Sequence, residues 1–300
     1  MEKLRDIQNY YKWDKIEAIR KGWSEEEKYY IEDRNGRKFL LRLSEISQKE
    51  RREREYLNLK KLENLEINTQ RPLEFGICNK GDSVYTLLTW IEGEDAHQVL
   101  PRLTLQHQRR LGATAGAYLR EMHRVSAPSN LEGWSTRYER KIKRNIENYK
   151  KAVESYPQEN DFIQFIDENI HLVKNRPQTF QHGDYHVGSM VITPEGTLGI
   201  IDFNRQDYGD PWEEFNRLPF CVSISSFFTS AMIEEYIGKQ PGEKFFRLIT
   251  LYVISNQLGA LQWAIPFGDD EVQMMMKQAQ EIYDWYHGFK RIVPKWFQPK

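Results

Sequence analysis

The sequence predicts an α+β fold, in which a small N-terminal β-sheet lobe with one helix precedes a larger, mainly helical lobe. Short apolar and β-branched runs fill the first part of the chain, and amphipathic helical spacings dominate from about residue 104. Strands followed by a run of helices, without regular alternation, are typical of this class. The polar, glycine-containing segment 92–95 separates the two patterns, so we place the lobes at residues 1–91 and 92–300.

In the N-terminal lobe, residues 1–20 are predicted to form a helix, because apolar residues recur there at intervals of three and four. A hairpin turn is predicted at Arg34-Asn35-Gly36, since Asn-Gly favours the positive φ angles of a tight turn. The charged stretch that contains Glu55 is predicted to be a helix. Runs rich in apolar and β-branched residues predict strands at 28–31, 38–43, 72–76 and 83–90, the last of them central.

In the C-terminal lobe, one β-hairpin interrupts a series of helices. The helices are predicted at 105–123, 142–153, 162–173 and from 211 to about 288. The hairpin consists of two apolar runs joined by the turn Pro194-Glu195-Gly196. The first run delivers Asp184 and the second delivers Asp202. Because paired strands lie about 5 Å apart, we expect the two carboxylates to point towards one site.

Two such carboxylates match the needs of phosphoryl transfer. One carboxylate orients or deprotonates the attacking hydroxyl, and a second holds Mg²⁺, which prefers oxygen ligands. Ser189, five residues after Asp184, could complete the metal shell. Each residue alone has a structural alternative, because aspartates are common in turns and a buried His182 would usually have a structural hydrogen-bond partner.

Together these residues resemble a known family. The segments His182-Gly183-Asp184, Ile201-Asp202-Phe203 and Gly209-Asp210-Pro211, with Ser189 between the first two, are similar to the signature of aminoglycoside phosphotransferases of the kanamycin-kinase-like type. The resemblance covers nearly the whole chain. It implies a bilobal, protein-kinase-like fold and the use of ATP, or GTP, with Mg²⁺. It does not fix the acceptor, because a fold does not fix a substrate.

The resemblance also implies a role for each matching position. Asp184 would be the catalytic carboxylate, and His182 would brace its loop. Asp202 and Ser189 would bind Mg²⁺, and Asp210 would anchor the segment after the metal-binding loop. Nucleotide-binding roles would fall to Gly22 and Ser24 over the phosphates, Arg42 and Glu55 as an ion pair, and Leu88, Thr89, Trp90 and Ile91 around the base.

The sequence departs from the family pattern at two of these positions. Ser189 stands where the family usually has Asn, and Arg42 stands where the family has the phosphate-binding Lys. Arg keeps the charge but is longer and planar, so the exchange is not neutral. Lys38, on the same strand, is an alternative cation. The departures leave open a second interpretation, that the protein is a nucleotide-binding pseudokinase.

The distribution of charge predicts a cationic acceptor. Acidic residues exceed basic ones by six over residues 203–286, whereas basic residues exceed acidic ones by three over residues 1–60. This polarity suits an anionic nucleotide in the first lobe and a cationic acceptor, such as an aminoglycoside, in the second. We assign acceptor binding to Asp207, Glu213 and Glu214. Macrolide, choline-like and metabolite acceptors remain alternatives. A further alternative is that both charge excesses only reflect ordinary solvent-exposed surfaces.

Composition limits the partners further. The net charge is −1, which gives no general attraction to nucleic acid or to an anionic membrane. The sequence shows neither an apolar run of about 20 residues nor the apolar core of a signal peptide. Cys78 and Cys221 lie far apart without metal-ligand spacing. We therefore expect a cytoplasmic protein with reduced thiols, without nucleic-acid or membrane partners, as a monomer or homodimer.

Overall fold

The computed structural model describes residues 2–20, 26–152, 154–238 and 240–299. The strands are β1 (Trp13–Ile19), β2 (Glu27–Asp33), β3 (Lys38–Glu45), β4 (Pro72–Cys78), β5 (Ser83–Thr89), β6 (Glu94–Asp95), β7 (Thr179–Gln181), β8 (Met190–Ile192), β9 (Leu198–Ile200) and β10 (Asp207–Gly209). The helices are α1 (Lys49–Lys60), α2 (Ala96–Val99), α3 (Leu105–Met122), α4 (Trp134–Tyr149), α5 (Glu159–Asn169), α6 (Leu218–Val222), α7 (Ser226–Ile237), α8 (Glu243–Ala264) and α9 (Asp269–Trp285).

The chain forms two compact units. The first consists of Met1–Glu94 and Val191–Asn204, and the second of Asp95–Met190 and Arg205–Lys300. The first change of unit lies three residues after the predicted boundary at residue 91. The sequence did not predict that residues 191–204 return to the first unit.

The first unit is built on an antiparallel sheet with strand order β1-β2-β3-β5-β4. The predicted hairpin turn between β2 and β3 is confirmed, and Gly36 has the positive φ of +74° that the turn requires. β5 lies inside the sheet as predicted, although β3 is its middle strand. Apolar side chains from β2 to β5, including Ile31 and Leu41, pack with Leu4 and Ile7 into one core.

The helix predicted over residues 1–20 is wrong. Two short 3₁₀ turns, at Glu2–Leu4 and Tyr10–Lys12, precede the edge strand β1. A bulge between Trp13 and Lys15 interrupts the pairing of β1 with β2. The partly buried residues of β1 recur at every third position, which imitates a helical spacing. Charged residues between them face solvent, as is common on an edge strand.

The second unit is mainly helical, as predicted. α3 and α7 approach closely at two glycines of α3. A Cβ atom at Gly112 would lie 2.1 Å from the carbonyl oxygen of Phe228, and one at Gly116 would lie 2.2 Å from that of Met232. Together with the sheet and single α-helix of the first unit's described part, this arrangement confirms the predicted α+β class.

α8 runs through the core of the second unit. With the following 3₁₀ turn, the helical segment Glu243–Phe267 is long and apolar enough to cross a membrane, but 67% of its most apolar part is buried within the protein. Such burial among the described residues is typical of a helix in a protein core.

Candidate functional site: a braced loop at Asp184 and an aspartate facing a lysine

The loop after β7 is held by main-chain hydrogen bonds. The N–H groups of His182 and Gly183 donate to the two carboxylate oxygens of Glu214, at 2.7 and 2.8 Å. The N–H of Asp184 donates to Nδ1 of His182 at 3.2 Å, and the His182 ring is fully buried. His182 therefore braces the loop through its ring, while Glu214 fixes the backbone that precedes Asp184.

Gly183 has a steric reason to be glycine. Its φ is +82°, in the left-handed region that side chains disfavour. A Cβ atom there would lie 1.9 Å from the carbonyl oxygen of Arg205. The loop thus approaches the segment after residue 204 at a distance that no other residue type permits.

Asp184 is surrounded by two arginines and a histidine. Its Oδ1 lies 2.9 Å from Nε of Arg217 and 3.5 Å from Nε2 of His186, and its Oδ2 lies 3.8 Å from Nε of Arg205. Burial alone would raise the pKa of Asp184, but the contacts with His186, Arg217 and Arg205 hold that pKa well below its ordinary value. The carboxylate consequently stays ionised at neutral pH.

Asp210 anchors the segment that follows. It is fully buried and accepts two hydrogen bonds from Arg176, at 2.7 and 2.8 Å, and one from the hydroxyl of Tyr252 at 2.5 Å. The Arg176 guanidinium also stacks over Trp212, 3.9 Å from the ring centre. This paired burial fixes the start of the segment that carries Glu213 and Glu214.

A cavity of about 390 Å³ lies beside Asp184 in the second unit. Asp207 and Glu213, which were predicted to bind the acceptor, both line this cavity. Each already pairs with a cation: Asp207 with Arg137 at 3.0 Å and Glu213 with Lys141 at 2.6 Å. Glu214 takes a different role from the one predicted, because both of its oxygens accept main-chain N–H groups of the loop.

Asp202 belongs to the first unit and follows β9. Its φ of +67° is unusual for a residue with a side chain, although aspartate tolerates this region better than most. Its N–H donates to the Gln70 side chain at 3.3 Å. Its Oδ1 lies 3.8 Å from Nζ of Lys28, and the carboxylate is 38% exposed. A strained, partly open carboxylate of this kind is typical of functional positions.

Lys28 and Arg42 are neighbours across the β2–β3 pair. Nε of Arg42 donates to Glu26 at 2.8 Å, and the guanidinium is largely buried. Glu26 also pairs with Arg52 at 2.8 Å, and Arg52 pairs with Glu55 at 2.8 Å. Burial would raise the pKa of Glu26, but Arg42 and Arg52 hold it below its ordinary value. The predicted Arg42–Glu55 pair is thus linked through Glu26 and Arg52.

The segment 88–91 follows the end of β5. Leu88 is buried, and the N–H groups of Thr89 and Trp90 donate to the carbonyls of Arg71 and Lys38 at 2.9 and 3.2 Å. Within this segment, the N–H of Ile91 has no acceptor among the described residues. Gly199 lets Ile91 pack against β9, since a Cβ there would lie 2.8 Å from the Ile91 side chain.

The remaining predicted site residues are Ser189, Gly22, Ser24 and Lys38. Ser189 is buried at the end of the loop, and its N–H donates to the carbonyl of His186 at 2.8 Å. Gly22 and Ser24 lie outside the described residues. Lys38, the alternative cation, pairs with Glu92 at 2.6 Å on the surface.

No group of three or more His, Cys, Asp or Glu side chains in the described ranges is arranged to hold a metal ion. Mg²⁺ needs no such group, because in nucleotide sites it binds one or two carboxylates, substrate phosphates and water. Asp202, an accessible oxygen donor, fits this requirement.

Three cations near the aspartates were missed from the sequence: Lys28, Arg205 and Arg217. Lys28 could have been found from the predicted hairpin, because a three-residue turn centred on Asn35 places residue 28 opposite residue 42 on the neighbouring strand. Arg217 gave no local signal, since its contact with Asp184 joins residues far apart in sequence.

Comparison with known proteins was made by sequence family and by structure. No curated protein sequence matches the chain. Among solved structures, aminoglycoside phosphotransferase APH(2″)-IIa with streptomycin and ATP is 16% identical, with a TM-score of 0.65, over 93% of this chain and 98% of that one. A fructosamine-3-kinase from Haemophilus somnus, itself identified only provisionally, is 13% identical, with a TM-score of 0.64, over 90% and 91%.

A third structure agrees with these two. A thermostable mutant of APH(4)-Ia with AMP-PNP and hygromycin B is 14% identical, with a TM-score of 0.66, over 92% of this chain and 95% of that one. Identities this low show a shared fold. The sequence model of the phosphotransferase enzyme family, however, matches residues 15–245 directly. Since that match covers most of the chain and contains both aspartates, the chain belongs to the phosphotransferase enzyme family of aminoglycoside phosphotransferase-type kinases, in the protein-kinase-like superfamily.

Proposed function

We propose that this kinase-type phosphotransferase transfers the γ-phosphoryl group of ATP, or GTP, to a hydroxyl of a small molecule, with Mg²⁺. The observation that carries the proposal is the loop of Asp184. Its backbone is fixed by Glu214 and His182, and its carboxylate is kept ionised by the surrounding cations. A loop built only as a turn would not need a largely buried carboxylate beside two arginines and a histidine.

In the proposed reaction Asp184 accepts a hydrogen bond from the acceptor hydroxyl and orients its oxygen towards the γ-phosphorus. The new P–O bond forms as the bond to the β–γ bridging oxygen breaks, and ADP leaves with that electron pair. The hydroxyl proton passes to Asp184 and then to solvent. Because phosphoryl transfer has a loose transition state, positioning matters more here than early proton removal, which suits a carboxylate of depressed pKa.

The first unit would hold the nucleotide. Asp202 would bind Mg²⁺, which neutralises charge on the β- and γ-phosphates when bound, and Ser189 stays a predicted metal ligand. Lys28 would contact a phosphate, because its ammonium already lies beside Asp202, whereas the Arg42 guanidinium is engaged by Glu26. The free N–H of Ile91 and the apolar side chain of Leu88 would meet the base, and Gly22 and Ser24 remain predicted phosphate contacts.

The acceptor remains a small-molecule alcohol. An aminoglycoside is the first candidate, because several structural neighbours are aminoglycoside phosphotransferases solved with streptomycin, gentamicin or hygromycin B. A metabolite acceptor is the second candidate, favoured by the cations that line the cavity beside Asp184. We propose that the enzyme acts in the cytoplasm, which the two free, buried cysteines support.

The test is a pair of matched substitutions, Asp184→Asn and Asp202→Asn. With an acceptor that the unmodified enzyme phosphorylates, we expect Asp184→Asn to lower the rate of ADP release at least a hundredfold. Its affinity for Mg²⁺–ATP should stay the same, because the change removes only the hydrogen-bond partner of the acceptor hydroxyl. Asp202→Asn should also weaken Mg²⁺-dependent nucleotide binding, measured by calorimetry. Asp167→Asn, on the exposed part of α5, serves as the control.

Full activity in Asp184→Asn would refute the assignment of that residue. Mg²⁺–ATP binding without turnover on an acceptor panel of aminoglycosides, macrolides, choline and sugars would instead favour the pseudokinase. Failure to bind any nucleotide would refute both interpretations.

A further inference from the structure

The walls of the cavity beside Asp184 are strongly basic. Six cationic side chains line it: Arg137, Arg140, Lys141, Arg144, Arg205 and Arg217. Asp207 and Glu213 are its acidic lining residues. Adding Asp184, which contacts Arg205 and Arg217, and Glu132, which pairs with Arg140, still leaves two more positive than negative charges.

One helix supplies most of this charge. Arg137, Arg140, Lys141 and Arg144 recur at three- and four-residue spacings on α4, so their side chains share a face. Arg137 and Lys141 are occupied by Asp207 and Glu213. Arg144 is exposed and has no ion-pair partner among the described residues.

The cavity wall also holds a polar atom that has no hydrogen-bond partner among the described residues. Nε of Arg217 is buried, and although Asp184 is 2.9 Å away, it makes no hydrogen bond of good geometry. Burial lowers the pKa of Arg217, against the opposing effect of Asp184, and the nearby Arg205 adds to the lowering. Arg217 and Arg205 line the cavity together, with 16% and 44% of their side chains exposed, so an anion in the cavity would meet two guanidinium groups.

We propose, on the basis of the proposed kinase function, that the acceptor is a small polyhydroxylated molecule bearing a phosphate or carboxylate, whose anionic group occupies this basic cavity. A hydroxyl of the same molecule then meets Asp184, and the transfer proceeds as described above. Arginine suits this role because its planar fork binds carboxylates and phosphates through two parallel hydrogen bonds. A polycationic acceptor would instead bring like charge to the cavity.

This inference reverses the acceptor charge expected from the sequence. The acidic excess over residues 203–286 is a count along the chain, whereas the cavity draws most of its charge from α4, outside that range. Asp207 and Glu213 are neutralised within the cavity, and Glu214 faces the loop backbone. The local charge therefore has the opposite sign to that of the segment.

The test uses a series of sugars that differ mainly in charge: glucosamine, glucose, glucuronate and glucose 6-phosphate. Binding to the full chain without nucleotide is measured by calorimetry. We expect glucuronate or glucose 6-phosphate to bind at least tenfold more tightly than glucose and glucosamine, and which of the two binds better identifies the anionic group. Anions that bind no better than glucose, or tighter binding of glucosamine or kanamycin, would overturn the proposal.

A charge-matched pair of double variants locates the anion. Arg140→Gln with Arg144→Gln removes two exposed cations from the cavity and should weaken anion binding at least fivefold. Lys143→Gln with Lys150→Gln removes two exposed cations that line a separate cavity, and should leave it unchanged. An equal effect of both pairs, or no effect of the first, would place the anion elsewhere and contradict the inference.

The same assays separate this inference from the kinase proposal. Anion binding that depends on Arg140 and Arg144, without ADP release from ATP on any acceptor, would uphold the cavity and refute the kinase. ADP release with kanamycin but with no anionic sugar would uphold the kinase and refute the anionic acceptor.

Discussion

Asp184 shows how its neighbours define what a single side chain can do. Its pKa is depressed by His186, Arg217 and Arg205 against the effect of burial. A carboxyl group of this kind contributes stability at pH values above its unfolded pKa, and that contribution is lost as the pH falls through the lower, folded pKa. Around neutral pH it therefore acts as a fixed negative charge, suited to orienting a hydroxyl.

Lys28 is the side chain for which we predict the clearest effect on nucleotide binding. Its ammonium lies 3.8 Å from Asp202 and is mostly buried, so its charge is little screened. Lys28→Met should weaken Mg²⁺–ATP binding at least tenfold, because a charge-assisted contact to phosphate is worth roughly 1.5–3 kcal/mol. Equilibrium titration with Mg²⁺–ATP measures the change.

Two further variants separate charge from structure in this experiment. Lys38→Met removes a surface cation of the same sheet and should leave affinity within twofold. Arg42→Met should lower the free energy of unfolding more than the affinity, since it leaves Glu26 with a single remaining arginine partner among the described residues. If Lys28→Met leaves the affinity for Mg²⁺–ATP unchanged and Arg42→Met lowers it strongly, Arg42 and not Lys28 binds the phosphate.

The sequence could identify the site residues that share a motif, because a motif fixes local geometry. His182, Gly183 and Asp184 form one such group, and the hydrogen bond from the Asp184 N–H to Nδ1 of His182 lies within it. Arg217 could not be found this way, because its distance from Asp184 depends on how α6 and the preceding 3₁₀ turn pack. For the same reason the sequence suggested acceptor binding for Glu214, whose carboxylate turns towards the loop.

Among the secondary-structure elements, the pairing of α3 with α7 depends on two missing side chains. Gly112→Ala would add a Cβ 2.1 Å from a backbone oxygen of α7, which no change of rotamer relieves. Alanine favours an isolated helix by up to about 1 kcal/mol, but forced separation of packed elements costs about 1–3 kcal/mol. We expect urea denaturation to show a net loss of about 1–2 kcal/mol in the free energy of unfolding.

Gly259→Ala is the matched control, in the interior of α8. The three atoms nearest to its new Cβ would all belong to the side chain of Asn145, at 3.1–3.3 Å, and that side chain would need to move by only a few tenths of an ångström. The loss of stability should therefore be much smaller than for Gly112→Ala. Equal losses would mean that glycine is not required for the α3–α7 contact.

The order of elements was more predictable than their ends or their partners. The α3 helix begins after Thr104, whose side chain caps it, and such signals are local. β1 was misread because its partly buried residues recur at every third position, and only the pairing with β2 decides between strand and helix. Which elements share a unit depends on contacts that lie far apart along the chain.

Residues 191–204 illustrate this dependence for the chain as a whole, and they allow a direct test. Within the first unit, Ile200 donates to the carbonyl of Asn68 at 2.9 Å and accepts from the Thr69 hydroxyl at 3.0 Å. Leu198 and Ile200 are fully buried, and burying each such side chain is worth about 1.5–3 kcal/mol.

A fragment of residues 1–94 should therefore be less stable than the same fragment joined to 191–204. A short Gly-Ser linker suffices, because Gly93 lies against the Ile192 carbonyl. We expect urea unfolding of the joined fragment to show a higher midpoint and a steeper transition than that of a control carrying a scrambled 191–204. Equal midpoints would mean that the returning segment adds no stability, and that the boundary predicted at residue 91 describes a complete folding unit.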